Sequence, residues 1–438
     1  MSLTRNISSV LLTNILVFLL GVPAGIVIAR VLGPEGVGIY ALIMLVPGLL
    51  YQLGNLGLGG ASIYFTGTKR FDLSDVTSNS LVFGFAVMVL LGALFAAAYR
   101  LFLYPFFKDV EPLFIYLILL SLPFSLVSVY FKQILLARFK VTEFNLLSLL
   151  QPLLMLVGVA LLLILFQAGM LSVVVLCVVV PVITFGASAL LVRRLTVIRL
   201  SVKLRVLKES LGYGVKVYLA NIFTFLSYRL DILLVSYFLG ATQVGFYALA
   251  VAMAEMAWFI PNAVKTILFP QVSSSDRASS GRLAAMVARH TLVLSVLACA
   301  ALAAVGRWAI ELLYGPEFLP SFLPLLILLP GIIGNSVASL AAAYLSGIGK
   351  PVFATYASLA SLAVNVALNL ILIPMWGIAG AAAATSVSYC LNCLILLLAF
   401  YRQSRIEPRD VLLMKAEDLK PYLGVAKRIL RLSPVGTK

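Results

Sequence analysis

The sequence predicts an all-α polytopic membrane protein, with twelve transmembrane helices in two parallel six-helix repeats around a central cavity. Three observations carry that expectation. Apolar residues make up 62% of the chain and charged residues only 11%, with a mean hydropathy of +1.10. No soluble domain hides that much apolar surface, so lipid is the solvent. The apolar runs are also unbroken and too long for the short alternating strands of a membrane barrel. Finally, "LGPEGVGIYAL" at 32–42 returns as "LGATQVGFYAL" at 239–249, with seven of eleven residues identical and an offset of 207.

About 20 mostly apolar residues cross the hydrocarbon. On that measure the spans fall at 8–29, 37–61, 78–99, 112–136, 144–166, 170–192, 211–239, 244–269, 286–310, 320–346, 352–374 and 377–400. The first, "LLTNILVFLLGVPAGIVIA", lacks the polar c-region and cleavage site of a secretory signal. It also has a full-length counterpart at 211–239, so it is a permanent helix. The repeated turn joins spans one and two, and again spans seven and eight. Glycines let the chain reverse there, and the tyrosine begins the next helix. Most other loops on the turn side are short ("FQAG", "PMWG"), apart from 100–111, which carries Asp109 and Glu111.

The echo extends past the turn. "NILVFL" (14–19) pairs with "NIFTFL" (221–226), Tyr51 with Trp258, and Asn55 with Asn262. The unit is therefore about 200 residues, or six helices. Six is even, so the halves are parallel repeats about an axis along the membrane normal, an arrangement that places a site between the halves near mid-membrane. The expected domains are an N-terminal lobe at 1–192, a basic linker at 193–210, a C-terminal lobe at 211–400 and a basic tail at 401–438.

The net charge of +16 does not mean nucleic acid. With the N-terminus inside, 24 Lys/Arg fall on cytoplasmic segments and only Arg30, Arg100, Lys108 and Arg307 outside. The positive-inside rule puts both termini in the cytoplasm. The four cysteines lie within spans, and Cys390 and Cys393 form a C-x-x-C without a redox fold around it, which reads as packing.

Ionisable groups in lipid cost about 2.5–3.5 kcal/mol each, so those that remain face a cavity or a partner. Four bases lie within spans (Lys132, Lys216, Arg229, Lys265) and two acids (Asp231, Glu255). Glu255, Trp258, Asn262 and Lys265 follow i, i+3, i+7, i+10, one face of a helix. Tyr40, Tyr51 and Asn55 take the matching face of span two. Tyr218, Asn221, Thr224, Tyr228 and Arg229 share an arc of span seven. The three lysines lie near cytoplasmic helix ends, where snorkelling is the competing reading. Arg229 lies about 15 Å from the turn, too deep to snorkel. It is either a cargo contact or a structural partner of Glu255 or Asp231. The Asn and Tyr stripe reads either as cavity lining or as interhelical glue. His290 stands at a helix end without companions.

Several motifs carry a family resemblance: "ARVLGPEGVGIYAL", "LGNLGLGGASIYF", "DILLVSYFLGATQVGFYALA", "LSGIGKP" and "LIPMWGIAGAAAATSVSY". Over about residues 5–400 the chain resembles the bacterial Wzx-type polysaccharide flippases of the multidrug/oligosaccharidyl-lipid/polysaccharide exporter superfamily. The resemblance implies a two-lobed carrier in the inner membrane. Such a carrier moves an undecaprenyl-diphosphate-linked oligosaccharide to the outer leaflet by alternating access, without a cofactor. It implies a cationic cavity to which Arg229, Lys216 and Lys265 would contribute charge. Asn221, Tyr228, Trp258, Asn262, Asn14, Tyr51 and Asn55 offer the flat faces and amides a sugar needs. Asp231 and Glu255 are the candidate seats of a coupling proton or sodium ion. Guanidinium and ammonium groups suit the diphosphate through charge-assisted hydrogen bonds.

The alternative is a cation-coupled multidrug exporter of the same superfamily. Its cationic cargo would favour acids, whereas here the bases outnumber them. A peptidoglycan-precursor flippase usually carries two further helices. An enzyme is disfavoured by the short outer loops and the single histidine, which leave no ligand-spaced cluster. The tail, "VLLMKAEDLKPYLGVAKRILRL", reads as an interfacial helix on anionic lipid. Other polysaccharide-assembly proteins are its candidate partners.

Overall fold

The computed structural model describes residues 3–68, 70–274 and 277–414, with backbone alone for some of them, including 3–8 and 213–221. In chain order the first half contains α1 (Leu3–Gly54), α2 (Leu58–Gly67), α3 (Leu73–Ala98), α4 (Pro112–Ala137), α5 (Val141–Val159) and α6 (Met170–Arg193). The second contains α7 (Leu204–Leu239), α8 (Ala241–Glu255), α9 (Phe259–Ser274), α10 (Arg277–Leu313), α11 (Phe322–Gly347), α12 (Val352–Trp376) and α13 (Ile378–Ser404), followed by a short α14 (Pro408–Leu412). The all-helical architecture follows from the solvent, because in lipid each backbone N–H and C=O needs a partner within its own segment.

Among the described residues, eleven helical stretches are long and apolar enough to cross a membrane. One of them, Leu12–Gly54, holds two spans in 43 residues. A straight helix of that length would measure about 65 Å, twice the ~30 Å hydrocarbon core. The chain turns back at Gly33 (φ 66°, ψ −173°), and again between α7 and α8 at Gly240 (φ 87°, ψ 177°). Only glycine takes this backbone region without strain. The expected count of twelve passes is borne out, and the chain is a multi-pass membrane protein.

Each half packs mainly on itself, through α3–α4, α4–α6 and α1–α5 in the first and α11–α13, α12–α13, α7–α12 and α10–α11 in the second. Small residues bring α11 and α13 close. A Cβ on Gly331 would sit 2.6 Å from the Ser386 Cα, and Ala338, Ala381, Ala382 and Ala384 are fully buried. Small-residue interfaces of this kind replace the hydrophobic effect inside lipid.

The halves meet along α1 and α8. There the two copies of the repeated turn lie against each other. A Cβ on Gly38 would fall 1.8 Å from the Ala241 carbonyl oxygen, and one on Gly245 would fall 1.9 Å from the Pro34 carbonyl oxygen. The first glycine of each turn supplies the reversal, and the later one supplies the close approach.

Two features depart from the expected spans. The second helix of each half is interrupted, at 55–57 by left-handed Leu56 and Gly57, and at Met256–Trp258 by a 3-10 turn. The seventh helix also begins at Leu204, before the expected 211. The basic linker is held rather than loose. Lys203 pairs with Asp75 at 2.7 Å, Arg70 with Glu209 at 2.7 Å, and the Asn79 amide bonds both backbone groups of Lys203. Of the interfacial helix expected over 411–432, residues 415–432 lie outside the described residues.

Candidate functional site

Four helices of the second half, α7, α8, α11 and α13, converge near the end of α8. Arg229 on α7 reaches Glu255 at the last turn of α8, with Nη2 to Oε2 at 3.0 Å. A third of the Arg229 side chain and 22% of the Glu255 side chain remain accessible. Glu255 Oε1 is buried without a hydrogen-bond partner. Removing either charge alone would leave the other part-buried and unpaired, which is costly. Of the sequence alternatives for the partner of Arg229, the structure selects Glu255.

Beside the ion pair stands an aromatic wall. The Tyr228 ring lies 5.1 Å from Trp258 and 5.2 Å from Tyr389, and Trp258 lies 5.7 Å from Tyr389. Asn335 donates to the Tyr228 hydroxyl at 2.8 Å, and Asn392 donates to Asn335 at 3.2 Å. The tilted rings keep flat faces and two fixed polar tips on one surface.

Asp231 belongs to a different environment. Two residues beyond Arg229 on α7, its side chain points into the helix bundle and is 1% exposed. It accepts from the Tyr247 hydroxyl at 2.5 Å, from Thr385 at 3.1 Å and from the Ile232 N–H at 2.9 Å. Thr385 also accepts from Asn365 at 3.3 Å, and Asn369 donates to Asn365 Oδ1 at 2.9 Å. Asn369 Oδ1 is buried with no partner. The result is an oxygen-rich polar core inside an apolar bundle.

The other expected site residues are not gathered here. Tyr51 accepts from Asn55 at 3.4 Å, and Tyr130 donates to the Asn55 carbonyl at 3.0 Å, all within the first half. Asn14, Asn262 and Lys265 are exposed. A 3-10 turn at Met256–Trp258 interrupts the helix that carries Glu255, Trp258, Asn262 and Lys265, and the first two of these stand at the ion pair and rings. The side chains of Lys216 and Asn221 lie outside the described residues. Sequence reasoning missed Tyr389, Asn335 and the Asn365–Asn369 pair. For Asn365 and Asn369 the available signal was two amides at i, i+4 within an otherwise apolar span.

Two further apolar contacts bridge the seam between halves, besides the paired turns. Phe18 lies 5.8 Å from Phe259, and a Cβ on Gly48 would sit 3.1 Å from Phe225. An apolar cavity of about 420 Å³ lies away from this seam, lined by Met256, Ala298, Ala301, Val305, Gly306 and Ala309.

Comparison with known proteins adds the following. The family described as "Polysaccharide biosynthesis protein" matches residues 27–323. Two Haloferax volcanii proteins are each 28% identical to the chain: the probable low-salt glycan biosynthesis flippase Agl15 over 170 residues, and the probable flippase AglR over 177. Each match covers 38% of this chain and 36% of the relative, so the chain spans about a third of the length of these curated relatives. The fold is similar to that of the lipid II flippase MurJ in an inward closed conformation, with a TM-score of 0.74 at 15% identity, covering 97% of this chain and 94% of that one. It is also similar to an inward-facing multidrug resistance MATE family transporter, with a TM-score of 0.73 at 13% identity, covering 89% and 94%. At such identities the shared property is the fold, which is the architecture the sequence predicts.

Proposed function

We propose, from the premise that the chain belongs to the polysaccharide biosynthesis protein family, that it is a flippase for a lipid-linked oligosaccharide. The lobes, 1–192 and 211–400, would rock about the seam, carrying the glycan from the cytoplasmic to the outer leaflet. The repeated turns mark the outer side, and both termini are cytoplasmic, as the distribution of basic residues requires. Both curated relatives are archaeal, so the carrier is best defined chemically, as a polyprenyl chain ending in phosphate or diphosphate. In a bacterium it would be undecaprenyl diphosphate.

The observation that carries this reading is the part-exposed Arg229–Glu255 pair beside the Tyr228, Trp258 and Tyr389 rings. A phosphate leaving water needs a guanidinium, and its two N–H faces fit phosphate oxygens as they fit a carboxylate. Glu255 then acts as a resident stand-in that the phosphate displaces. The rings and the Asn335 amide offer a sugar its apolar face and its hydrogen bonds. Asp231, with the oxygens of Thr385, Asn365 and Asn369 nearby, is the stronger seat for a coupling proton or sodium ion, because Glu255 is engaged by Arg229.

The test is translocation in proteoliposomes. Purified protein should expose a labelled polyprenyl-diphosphate oligosaccharide on the opposite leaflet, and Arg229→Ala should slow this at least tenfold. A second reading, a cation-coupled exporter, draws on the two acids Asp231 and Glu255. Extrusion of cationic dyes without movement of the glycan would establish that reading and defeat the first.

A further inference from the structure

At the turn end, the first half reaches across the seam to cap helix ends of the second. Asp109, in the first half, accepts the Ala241 backbone N–H at 2.7 Å, at the N-terminus of α8. Arg30, near the end of the first span, donates to the carbonyls of Leu313 (2.9 Å) and Leu312, the last of α10. The charges match the helix ends they meet, with an anion at an N-terminus and a cation at a C-terminus. Gly240 is required here twice: for its positive φ, and because a Cβ would come within 2.9 Å of the Asp109 carboxylate.

Two further contacts complete the set. Ser236 donates to the Phe106 carbonyl at 2.7 Å, and Lys108 reaches the Tyr237 carbonyl at 3.4 Å. Phe106 and Leu313 are 207 residues apart, the offset of the repeat. The end of span seven therefore bonds the first half where the end of span one bonds the second. The donors, Arg30 and Ser236, are 206 residues apart, one short of that offset, so each half places a cross-seam donor at nearly the same point with different chemistry, arginine in one and serine in the other.

We propose that these cross-half caps form the latch that holds the turn end shut, with the Gly38–Gly245 contact as its seat. A helix cap is a fitting latch. Each terminal N–H or carbonyl loses a partner when the halves part, but water replaces that partner once the gap opens, so the latch holds without locking. The latch and its link to transport rest on the flippase reading, whereas the geometry of closure does not.

The experiment uses full-length protein in nanodiscs, with Cys177, Cys299, Cys390 and Cys393 replaced. Spin labels go on Leu101 in the first half and Leu323 in the second, 79% and 57% exposed. Pulsed dipolar spectroscopy then reads the separation without any cargo. Asp109→Ala and Arg30→Ala should each raise the long-distance population about fivefold, the usual effect of losing a cap, and the double variant should raise it further. Asp109→Asn, which keeps an acceptor oxygen, should fall between wild type and Asp109→Ala. Unchanged distances in both alanine variants, accompanied only by a lower melting temperature, would overturn the proposal and leave the caps purely structural. Shifted distances support the latch even where the protein moves no glycan, an outcome that would sink the transport reading alone.

Discussion

At matched positions 207 residues apart, Tyr51 and Asn55 of the first half stand where Trp258 and Asn262 stand in the second. Around Asn55, everything bonded is neutral: the Tyr51 hydroxyl, the Tyr130 hydroxyl and a backbone carbonyl. Around Trp258 lie an ion pair and two further rings. The second half also buries a carboxylate, Asp231, in a network of hydroxyls and amides. At the turn end, by contrast, the halves remain near copies, glycine against glycine. The repeat therefore separates two jobs. Contacts that must work for both halves keep their symmetry, while the groups proposed to meet cargo and ion are concentrated on one side.

That contrast is open to attack at both ends. The largest effect is expected at the symmetric turn. Gly38→Val or Gly245→Val drives a side chain into backbone that cannot move aside, and overpacking at the upper end of its usual cost amounts to about a hundredfold shift toward an open turn end. The same spin-label distances measure it. Gly60→Ala, with open space around it, should change nothing. Equal effects at Gly38 and Gly245 would confirm that the seam is symmetric.

Next comes the buried acid. Asp231→Ala removes the shared acceptor of the Tyr247 and Thr385 hydroxyls, which can still bond each other at 3.2 Å, so one donor is left unsatisfied at about 1–3 kcal/mol. Thermal or denaturant unfolding should show that loss, with Asp231→Asn losing less. If Asp231 seats the coupling ion, Asp231→Asn should also abolish any dependence of transport on an imposed proton or sodium gradient.

Arg229→Ala should then cost about 1–2 kcal/mol, less than a fully buried pair would, because both side chains are partly exposed. Adding Glu255→Ala should restore the stability but not the transport. Recovery of both would reduce the pair to a structural strut. The smallest effect belongs to the neutral half. Tyr51→Phe removes, among the contacts of that hydroxyl, the long 3.4 Å hydrogen bond from Asn55, a neutral bond worth about 1 kcal/mol or less, and translocation should stay within twofold of wild type.

Much of this was legible in the sequence, for identifiable reasons. Lipid solvent leaves few choices of secondary structure, so twelve passes follow from apolar length alone. The turn was legible because Gly33 and Gly240 occupy a conformation other residues avoid. Arg229 and Glu255 were legible as charges too deep to be accidental. The helix breaks at 55–57 and 256–258 were not, although signals flank both: Gly54, Asn55 and Gly57 at the first, and Pro261, four residues past Ala257, at the second; the apolar runs around them masked these. Tyr389, Asn335, Asn365 and Asn369 escaped because they lie on helices distant in sequence from the turn. Neutral amides are easily read as packing until tertiary structure brings them to Asp231 and Tyr228. That the two turns press on each other could not be read from either copy alone.

The central claim is that the second half alone grips the charged head of the cargo. The most direct measurement is the affinity of purified protein for a polyprenyl-diphosphate oligosaccharide, comparing Arg229→Ala with Lys132→Ala, the in-span cation of the first half. The account predicts at least a tenfold loss for the first and less than a twofold change for the second. Equal losses at the two sites, or none at Arg229, would contradict it.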